Sequence, residues 1–549
     1  MCDQYISQKT VRDIYVALCS ALAAGSGNVR AISEKFSELE TNSSRVDFVY
    51  ELLEKYGAFP KLNVINKNAK VATDLREKGN DFFKMTKDGF AIMKYTESLA
   101  NAPLDSQEYA LAFANRSAAL FRLKLYKQCL KDIEKALSGD YPKHLHDKLT
   151  TRREKAVQMQ TQQVKMMYHE DAPVLGSTNE FIECAANCVE IRSADDHGRH
   201  IVARRDIKIG DVIAVEEPFT TVLLKDKYLS HCYNCLRPCF NLIPCDNCVL
   251  IMFCKEGCKR LAWDTYHKYE CSILPTLLDL DLNKLTLAAL KISILVDLTQ
   301  GNDKGSTYKS RNYSEIHDLI TNTRLRSTSD LFERAVTAAI IFELVRKHTK
   351  LFVDGAKKQE TFKELLLLHL QTGPSNFHEI SEMAKNGSFY ELDEIGVGAY
   401  SFLSLLNHSC CPNVVRHCYD RTIVLRALRP IVKGEQLFDN YGYHHAVMKK
   451  EQRREHLHKQ YFFECRCEAC VENWPLYIEL PKRHFDIKVS EEEIESLRNG
   501  STRLAKDIAM NLQNLAEGLE KLRPCKELAD VQEILKQCYA LCGNKRITF

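Results

Sequence analysis

The chain lacks any run approaching the ~18 consecutive apolar residues of a membrane-crossing helix, so a membrane-spanning protein is not expected. Its opening, Met1-Cys2-Asp3-Gln4, has no basic stretch ahead of an apolar one, and no secretory signal is expected there. Residue 2 is cysteine, not the glycine of an N-myristoylation site, and Arg546-Ile547-Thr548-Phe549 forms no prenylation box. Net charge is also scarce. The 76 Lys plus Arg against 73 Asp plus Glu leave +3, which argues against a protein built to hold nucleic acid through its phosphates. With 45% apolar and 27% charged residues the chain is not a disordered one. The expectation is a monomeric intracellular protein, cytoplasmic and nuclear, of about three to four domains.

Cysteine is abundant, with 22 residues. In a reducing compartment a disulfide framework does not explain so many, which leaves metal binding or plain burial. Spacing separates these. Cys232/Cys235 and Cys245/Cys248 are C-x2-C pairs, Cys254/Cys258 is C-x3-C, and His267/Cys271 is H-x3-C. Four short pairs supply eight ligands, enough for two closed tetrahedral zinc sites with no position left for water. Cysteines merely buried in a helical core would not fall into regular pairs. Cys239 stands outside the pairing and is read as a bystander. Which pairs share an ion is not set by the spacing.

Around this block the pattern changes several times. Residues 1–66 read as amphipathic helices with no evident chemistry, Phe48 to Leu53 forming a stripe and Pro60 a break. Residues 67–165 carry a repeat signal: Leu75 to Phe83, then Phe90, Ala91 and Tyr95, then Ala114 to Leu120 with Tyr126, Asp132, Ala136 and Leu137. Small residues fall where helices approach closely and aromatics fill the gaps, the pattern of stacked helix pairs. It resembles the tetratricopeptide repeat (TPR). Asp206 to Glu216 has β-branched residues around a Gly turn, a strand-turn-strand signal. Residues 275–375 read as helical, 395–443 as short strands and turns. From Ser490 the chain reads as helical again, with Ser490/Glu493 as a capping box and Leu497, Leu504, Ile508, Leu512, Leu515, Leu519 and Leu522 as a stripe.

Three further segments carry chemistry. They are Asn407-His408-Ser409-Cys410-Cys411-Pro412-Asn413, then Gly434 to Tyr441, then Tyr461-Phe462-Phe463-Glu464-Cys465-Arg466-Cys467-Glu468-Ala469-Cys470. Singly, the first reads as a surface loop, Tyr441 as a core tyrosine, and C-x-C-x2-C as one ligand short of a zinc site. Their order resembles the SET lysine methyltransferases, and the cysteine block resembles the MYND zinc finger. A SET core split by a MYND finger, with TPR-like repeats in front, resembles the SET and MYND domain-containing (SMYD) methyltransferases, in their repeat-bearing, member-four branch. The resemblance covers residues 70–549. It implies a multidomain α+β chain: an N-terminal helical segment (1–66), TPR-like repeats (67–165), the N-terminal part of SET (177–231), a MYND finger (232–271), a helical SET insert (272–375), the C-terminal SET core (376–443), a post-SET zinc segment (444–472) and a C-terminal helical domain (473–549).

The resemblance also implies roles. One zinc is held by Cys232, Cys235, Cys254 and Cys258, a second by Cys245, Cys248, His267 and Cys271, and a third by Cys410, Cys465, Cys467 and Cys470. The cofactor implied is S-adenosyl-L-methionine, contacted by His197, Gly198 and Arg199 in a first loop, by Asn376, Ser404, Leu405, Asn407 and His408, and by Tyr441, Tyr461 and Phe463. Tyr441 is the implied catalytic residue, orienting the lysine amine of a histone or non-histone substrate. The first loop departs from the family's Gly-x-Gly, with His200 at the second glycine, where a Cβ can obstruct close approach. Gln436 replaces the usual second Glu. A MYND finger implies proline-rich peptide partners. Arg76, Asn80, Asn115, Lys148 and Arg152 resemble a clamp for a chaperone's C-terminal carboxylate. The competing reading is a weakly catalytic or non-catalytic adaptor or transcription regulator. Lys449-Lys450 with Arg453-Arg454 is read as a solvated helix face and not as an import signal.

Overall fold

The computed structural model describes residues 10–24, 29–162, 170–195, 198–296, 307–353, 355–386, 389–483 and 489–546, and the structural statements that follow refer to these. None of their helices is long and apolar enough to cross a membrane. Helices lie at both ends and in the middle of the chain, with short sheets between them.

The first three helices are α1 (Val11–Ala24), α2 (Val29–Ser37) and α3 (Asn42–Lys55), the last capped by the Thr41 side chain. Their apolar faces, including Leu18, Phe36, Val46, Val49 and Leu53, are buried. Their partners come from far along the chain, the helices Thr328–His348 and Ala356–Asn376. Phe36 meets Phe332 edge-on at 5.2 Å, Tyr50 donates to Glu343 at 2.7 Å, and the Asn42 amide reaches Glu364 at 3.0 Å. The N-terminal segment therefore braces the middle of the molecule.

Next come α4 (Ala69–Lys84), α5 (Asp88–Asn101), α6 (Gln107–Arg122), α7 (Tyr126–Leu137) and α8 (His146–Gln158). Short turns join them, and each packs on its predecessor, with α8 packing also on α6. Asn68 caps α4 and Ser106 caps α6, each side chain taking orphan backbone N–H groups. Gly79 lets α4 and α5 close together: a Cβ there would stand 2.6 Å from the Tyr95 ring. That ring is tethered by a 2.9 Å hydrogen bond from its hydroxyl to Asn80. Gly79→Ala is therefore expected to destabilise. Helix propensity favours alanine by about 1 kcal/mol, but overpacking costs about 1–3 kcal/mol, and hydrogen exchange should show lost amide protection across 69–101.

A buried ion pair fastens this stack to the cysteine-rich block. Arg116, fully buried, donates to both oxygens of Asp132 at 2.7 and 2.9 Å, to Thr96 at 3.0 Å, and to the Leu242 carbonyl at 2.8 Å. All five donors of a guanidinium lie in one fixed plane, so this single side chain sets α5, α6, α7 and the loop at 242 in register.

The strands, in order, are β1 (Val189–Ala194), β2 (Gly198–Ala203), β3 (Val212–Glu216), β4 (Thr221–Leu223), β5 (Ile243–Pro244), β6 (Met252–Phe253), β7 (Phe377–Asn386), β8 (Phe389–Ala399), β9 (Asn407–His408), β10 (Val414–Tyr419), β11 (Thr422–Ala427), β12 (Phe438–Asp439) and β13 (Lys545–Arg546). They pair as β1-β2, β10-β11-β3, β12-β9, β13-β7-β8-β4 and β5-β6. The β7–β8 hairpin starts well before the expected strand region at 395. Glu382, Glu391, Asp393 and Glu394 obscure its alternation, while Ile380, Met383, Ile395 and Val397 face inward. The C-terminal part is helical as far as the helices Thr502–Leu519 and Lys526–Cys542, with the Ser490/Glu493 capping box in place. It then departs from an all-helical expectation, because β13 runs parallel to β7 at Met383 and Ala384. Gly543 permits the return, since a Cβ there would lie 2.3 Å from the Cys418 carbonyl.

Candidate active site and metal clusters

Three groups of four ligand atoms each converge to within 4.8 Å of one another. They are Cys232, Cys235, Cys254 and Cys258; Cys245, Cys248, His267 and Cys271; and Cys410, Cys465, Cys467 and Cys470. A tetrahedron with Zn–S of about 2.3 Å has edges of about 3.8 Å. The sulfurs of Cys235 and Cys254 lie 3.6 Å apart, as do those of Cys254 and Cys258. In the second group Cys245 to Cys271 spans 3.9 Å, and Cys248 to His267 Nε2 spans 3.7 Å. In the third, Cys410 lies 3.9 Å from Cys465 and 3.5 Å from Cys470. The donor sets and their edges fit a tetrahedral zinc in each. The first two groups interleave, the second and fourth pairs enclosing one site and the first and third the other, which pair spacing leaves open. Cys239 joins none of them; its thiol lies 3.3 Å from Asn241 Oδ1.

The local folding explains the first two groups. The β5–β6 hairpin sets Cys245 and Cys248 at one side, and a helical run through Glu256–Ala262 and Trp263–His267 delivers Cys258, His267 and then Cys271. Glu270 lies behind His267, its Oε2 3.9 Å from Nδ1, and also accepts the Tyr233 hydroxyl at 3.0 Å. Such outer partners orient a ligating imidazole.

The third group lies against the Asn407-to-Tyr441 region. Three segments meet there. β2 is joined to the Gly434–Leu437 stretch: Ala203 donates to the Glu435 carbonyl at 2.9 Å and Leu437 to the Ile201 carbonyl at 2.9 Å. β12 pairs parallel with β9, setting Phe438 beside Asn407 and Asp439 beside His408. Asn413 locks the crossing, its amide on the Gln436 carbonyl at 2.9 Å and its oxygen accepting Phe438 N–H at 2.7 Å. The turn ahead of β9 is held from below by Glu216, whose carboxyl oxygens take the N–H groups of Phe402 and Leu403 at 2.9 Å each. Burial, only partly offset by those two bonds, pushes that carboxyl up to about 8.

Tyr441 is fixed at both ends. Its N–H donates to His408 Nδ1 at 3.0 Å, and its hydroxyl donates to the Leu406 carbonyl at 2.7 Å. Burial pushes His408 down to about 4, so the ring is neutral at neutral pH. With Nδ1 accepting, the ring proton sits on Nε2, 3.4 Å from Cys410 Sγ. Burial also holds the Tyr441 phenol above its ordinary value, so it stays protonated. The Tyr461 ring lies 4.6 Å from the Tyr441 ring, and Phe463 lies 6.2 Å from His408. Tyr441, Tyr461, Phe463 and Tyr443 thus pack on the core of the third cluster, beside Trp474.

The other expected contacts are placed as follows. His197 lies outside the described residues. Gly198 opens β2 with φ +63°, and a Cβ there would meet nothing within 4 Å. Arg199 turns away to Glu315, at 3.4 Å, and to the Asp318 carbonyl, at 3.0 Å. His200 is 8% exposed, with Nδ1 3.0 Å from the Gly198 carbonyl. Asn376 is buried, its amide nitrogen on the Ile320 and Thr372 carbonyls at 2.8 and 2.7 Å. Ser404 Oγ lies 2.7 Å from the Asn376 carbonyl, and Leu405 is buried in the same turn.

In the α4–α8 stack, Asn115 donates to Asn80 at 2.8 Å. Arg152 turns inward to the Ala114 carbonyl and to Ser117 Oγ, both at 2.7 Å, while Lys148 is exposed. The expected Lys148/Arg152 pair is therefore divided, because the α8 residue that meets α6 carbonyls is drawn into the stack.

A SET domain family model matches residues 198–442, from Gly198 to one residue beyond Tyr441. A Danio rerio protein named protein-lysine N-methyltransferase SMYD4 is 25% identical over 498 residues, covering 74% of this chain and 66% of that protein. The Homo sapiens protein of the same name is 23% identical over 547 residues, covering 74% and 68%. The chain carries a SET-domain match and is similar to SMYD protein-lysine methyltransferases over about three quarters of its length. The histone-lysine N-methyltransferase SMYD3 of Mus musculus is 28% identical over 284 residues, 51% of this chain and 61% of that protein. The chain spans 66% of the length of the Danio rerio relative.

Further residues build the site beside those expected to contact the cofactor. Glu216 holds the turn before Asn407, Asn413 ties the crossing, and His378 lies 3.2 Å from Ser404 Oγ. A lone carboxylate closing an apolar strand was the available signal for Glu216. Arg453, expected on a solvated face, is instead fully buried, its Nε 3.1 Å from Cys410 Sγ.

Proposed function

We propose that this chain is an S-adenosylmethionine-dependent protein-lysine N-methyltransferase acting on a histone or non-histone lysine. The observation that carries the reading is the convergence of Asn407–His408 and Tyr441, the last held by His408 and by the Leu406 carbonyl, with β2 joined at Ile201 to Leu437 beside them. Two further features suit S-adenosylmethionine. Gly198 offers open backbone where a side chain would stand, and Ser375 Oγ, next to Asn376, is buried with no hydrogen-bond partner. When bound, the cofactor supplies an electrophilic sulfonium methyl.

The protein's own part is to prepare the amine. A lysine of pKa about 10.4 must lose its proton, which costs about 4.6 kcal/mol at pH 7. Aromatic walls at Tyr441, Tyr461 and Phe463 disfavour the ammonium and so lower that cost. Because the Tyr441 hydroxyl donates to Leu406, its lone pairs face the substrate as acceptors. One amine N–H bonded there aims the nitrogen lone pair along a fixed line, and orientation supplies much of the remaining rate. The Asn407 and His408 segment grips the cofactor, and three zinc ions hold the finger and the segment after the SET core.

The repeats and the finger are proposed as partner docks, for a C-terminal carboxylate near Arg76, Asn80 and Asn115 and for proline-rich peptides. An adaptor without catalysis draws its support from His200, and that ring is packed inside the fold. Calorimetry separates the two readings. The zinc-replete wild type is expected to bind S-adenosylmethionine, and a variant carrying both Asn407→Ala and His408→Ala is expected to lose binding while keeping its zinc. A folded wild type holding three zinc ions that binds no cofactor would leave the adaptor.

A further inference from the structure

The third metal cluster has an uncommon neighbour. Arg453 is fully buried. Its Nε lies 3.1 Å from Cys410 Sγ and its Nη2 lies 3.5 Å from Cys470 Sγ, while Nη1 donates to the Met448 carbonyl. Among the described residues it forms no ion pair with a carboxylate. A permanent cation in this position has two metal-ligand sulfurs as its only anionic partners.

The charges require each other. Four thiolates around a divalent ion leave two negative charges, and burying that excess is costly unless a cation is paired with it. A buried guanidinium is equally costly without an anion. With the metal bound each offsets the other.

The same sulfur leads to the candidate active site. Cys410 Sγ lies 3.4 Å from His408 Nε2, whose ring accepts the Tyr441 N–H through Nδ1. We propose that Arg453 is a positioning residue: it neutralises part of the charge of the Cys410/Cys465/Cys467/Cys470 site, holds the metal there, and through Cys410 and His408 fixes Tyr441. The metal part stands on the cluster geometry alone; the extension to Tyr441 rests on the methyltransferase reading.

The experiment uses the full chain with Arg453→Met and Arg453→Lys. Zinc is titrated away with a chromophoric chelator and counted per chain. In Arg453→Met one zinc of three is expected to leave with roughly 10- to 100-fold weaker affinity, while Arg453→Lys, which keeps the cation, stays close to wild type. Calorimetry at saturating free zinc is expected to restore S-adenosylmethionine binding in Arg453→Met. Release of all three ions as in wild type, or equal loosening in the methionine and lysine variants, overturns the charge role. A binding defect that persists at saturating zinc overturns the route through the metal. If Arg453→Met gives no folded protein, Arg453→Lys against wild type decides: retention of three ions supports the proposal and loss of one removes it. The zinc titration stands whether or not the chain binds the cofactor.

Discussion

Tyr441→Phe is expected to lower methyl transfer by about 100- to 1000-fold, the scale on which a single polar group aimed at the reacting centre acts. Cofactor affinity should be unchanged, because the Tyr441 N–H that meets His408 is retained. What disappears is the hydroxyl held against the Leu406 carbonyl, and with it the acceptor for the lysine amine. The loss should therefore fall on kcat and not on KM for the peptide. Burial holds the phenol protonated across the ordinary working range, so ionisation of Tyr441 itself should not shape the pH profile below pH 10. Single-turnover measurement with S-adenosylmethionine prebound is the direct check. A phenylalanine variant that turns over at the wild-type rate would remove Tyr441 from the chemistry and with it the main support for the proposed mechanism.

The second large effect lies far from that site. Asp132→Ala strips the carboxylate from Arg116, whose side chain is 0% exposed against 2% for Asp132. Leaving such a charge unpaired costs about 3–5 kcal/mol. The damage should spread in two directions, because Arg116 also holds Thr96 in α5 and the Leu242 carbonyl at the edge of the cysteine block. Hydrogen exchange is expected to show protection lost in α6 and α7, and zinc at the Cys245 group should become easier to remove. Replacing both partners, Arg116→Met with Asp132→Leu, should recover most of the stability, since no charge is then left buried at this position. Unaltered protection in Asp132→Ala would mean that the pair contributes little. Failure of the double replacement to recover would mean that the bond to Leu242 matters more than the charge.

Local chemistry was legible in the linear sequence. Pairs such as Cys232/Cys235 and His267/Cys271 are short-range, so their spacing already implies tetrahedral ligation. The small and aromatic residues of 67–165 imply close helix packing by the same logic, and Gly79 against Tyr95 is one such approach. Residues that act through distant partners were not legible. Arg453 sits among Lys449, Lys450 and Arg454, and nothing in that run marks the one member that turns inward; only a cluster assembled from Cys410 and Cys470 gives its charge a destination. Glu216 and Asn413 likewise gain meaning from strands more than 20 residues away.

The N-terminal helices show the same division. Their amphipathic stripes announced helices, yet the surface they cover belongs to residues 328–376, and an apolar face carries no address. By itself, then, the sequence determined the ligand types, the helix and turn chemistry and the motif order, because each depends on neighbours within a few residues. The tertiary structure decided which pairs share a site, which cation is buried, and how His408 joins a metal cluster to Tyr441. Those depend on contacts between segments whose separation along the chain no local pattern encodes.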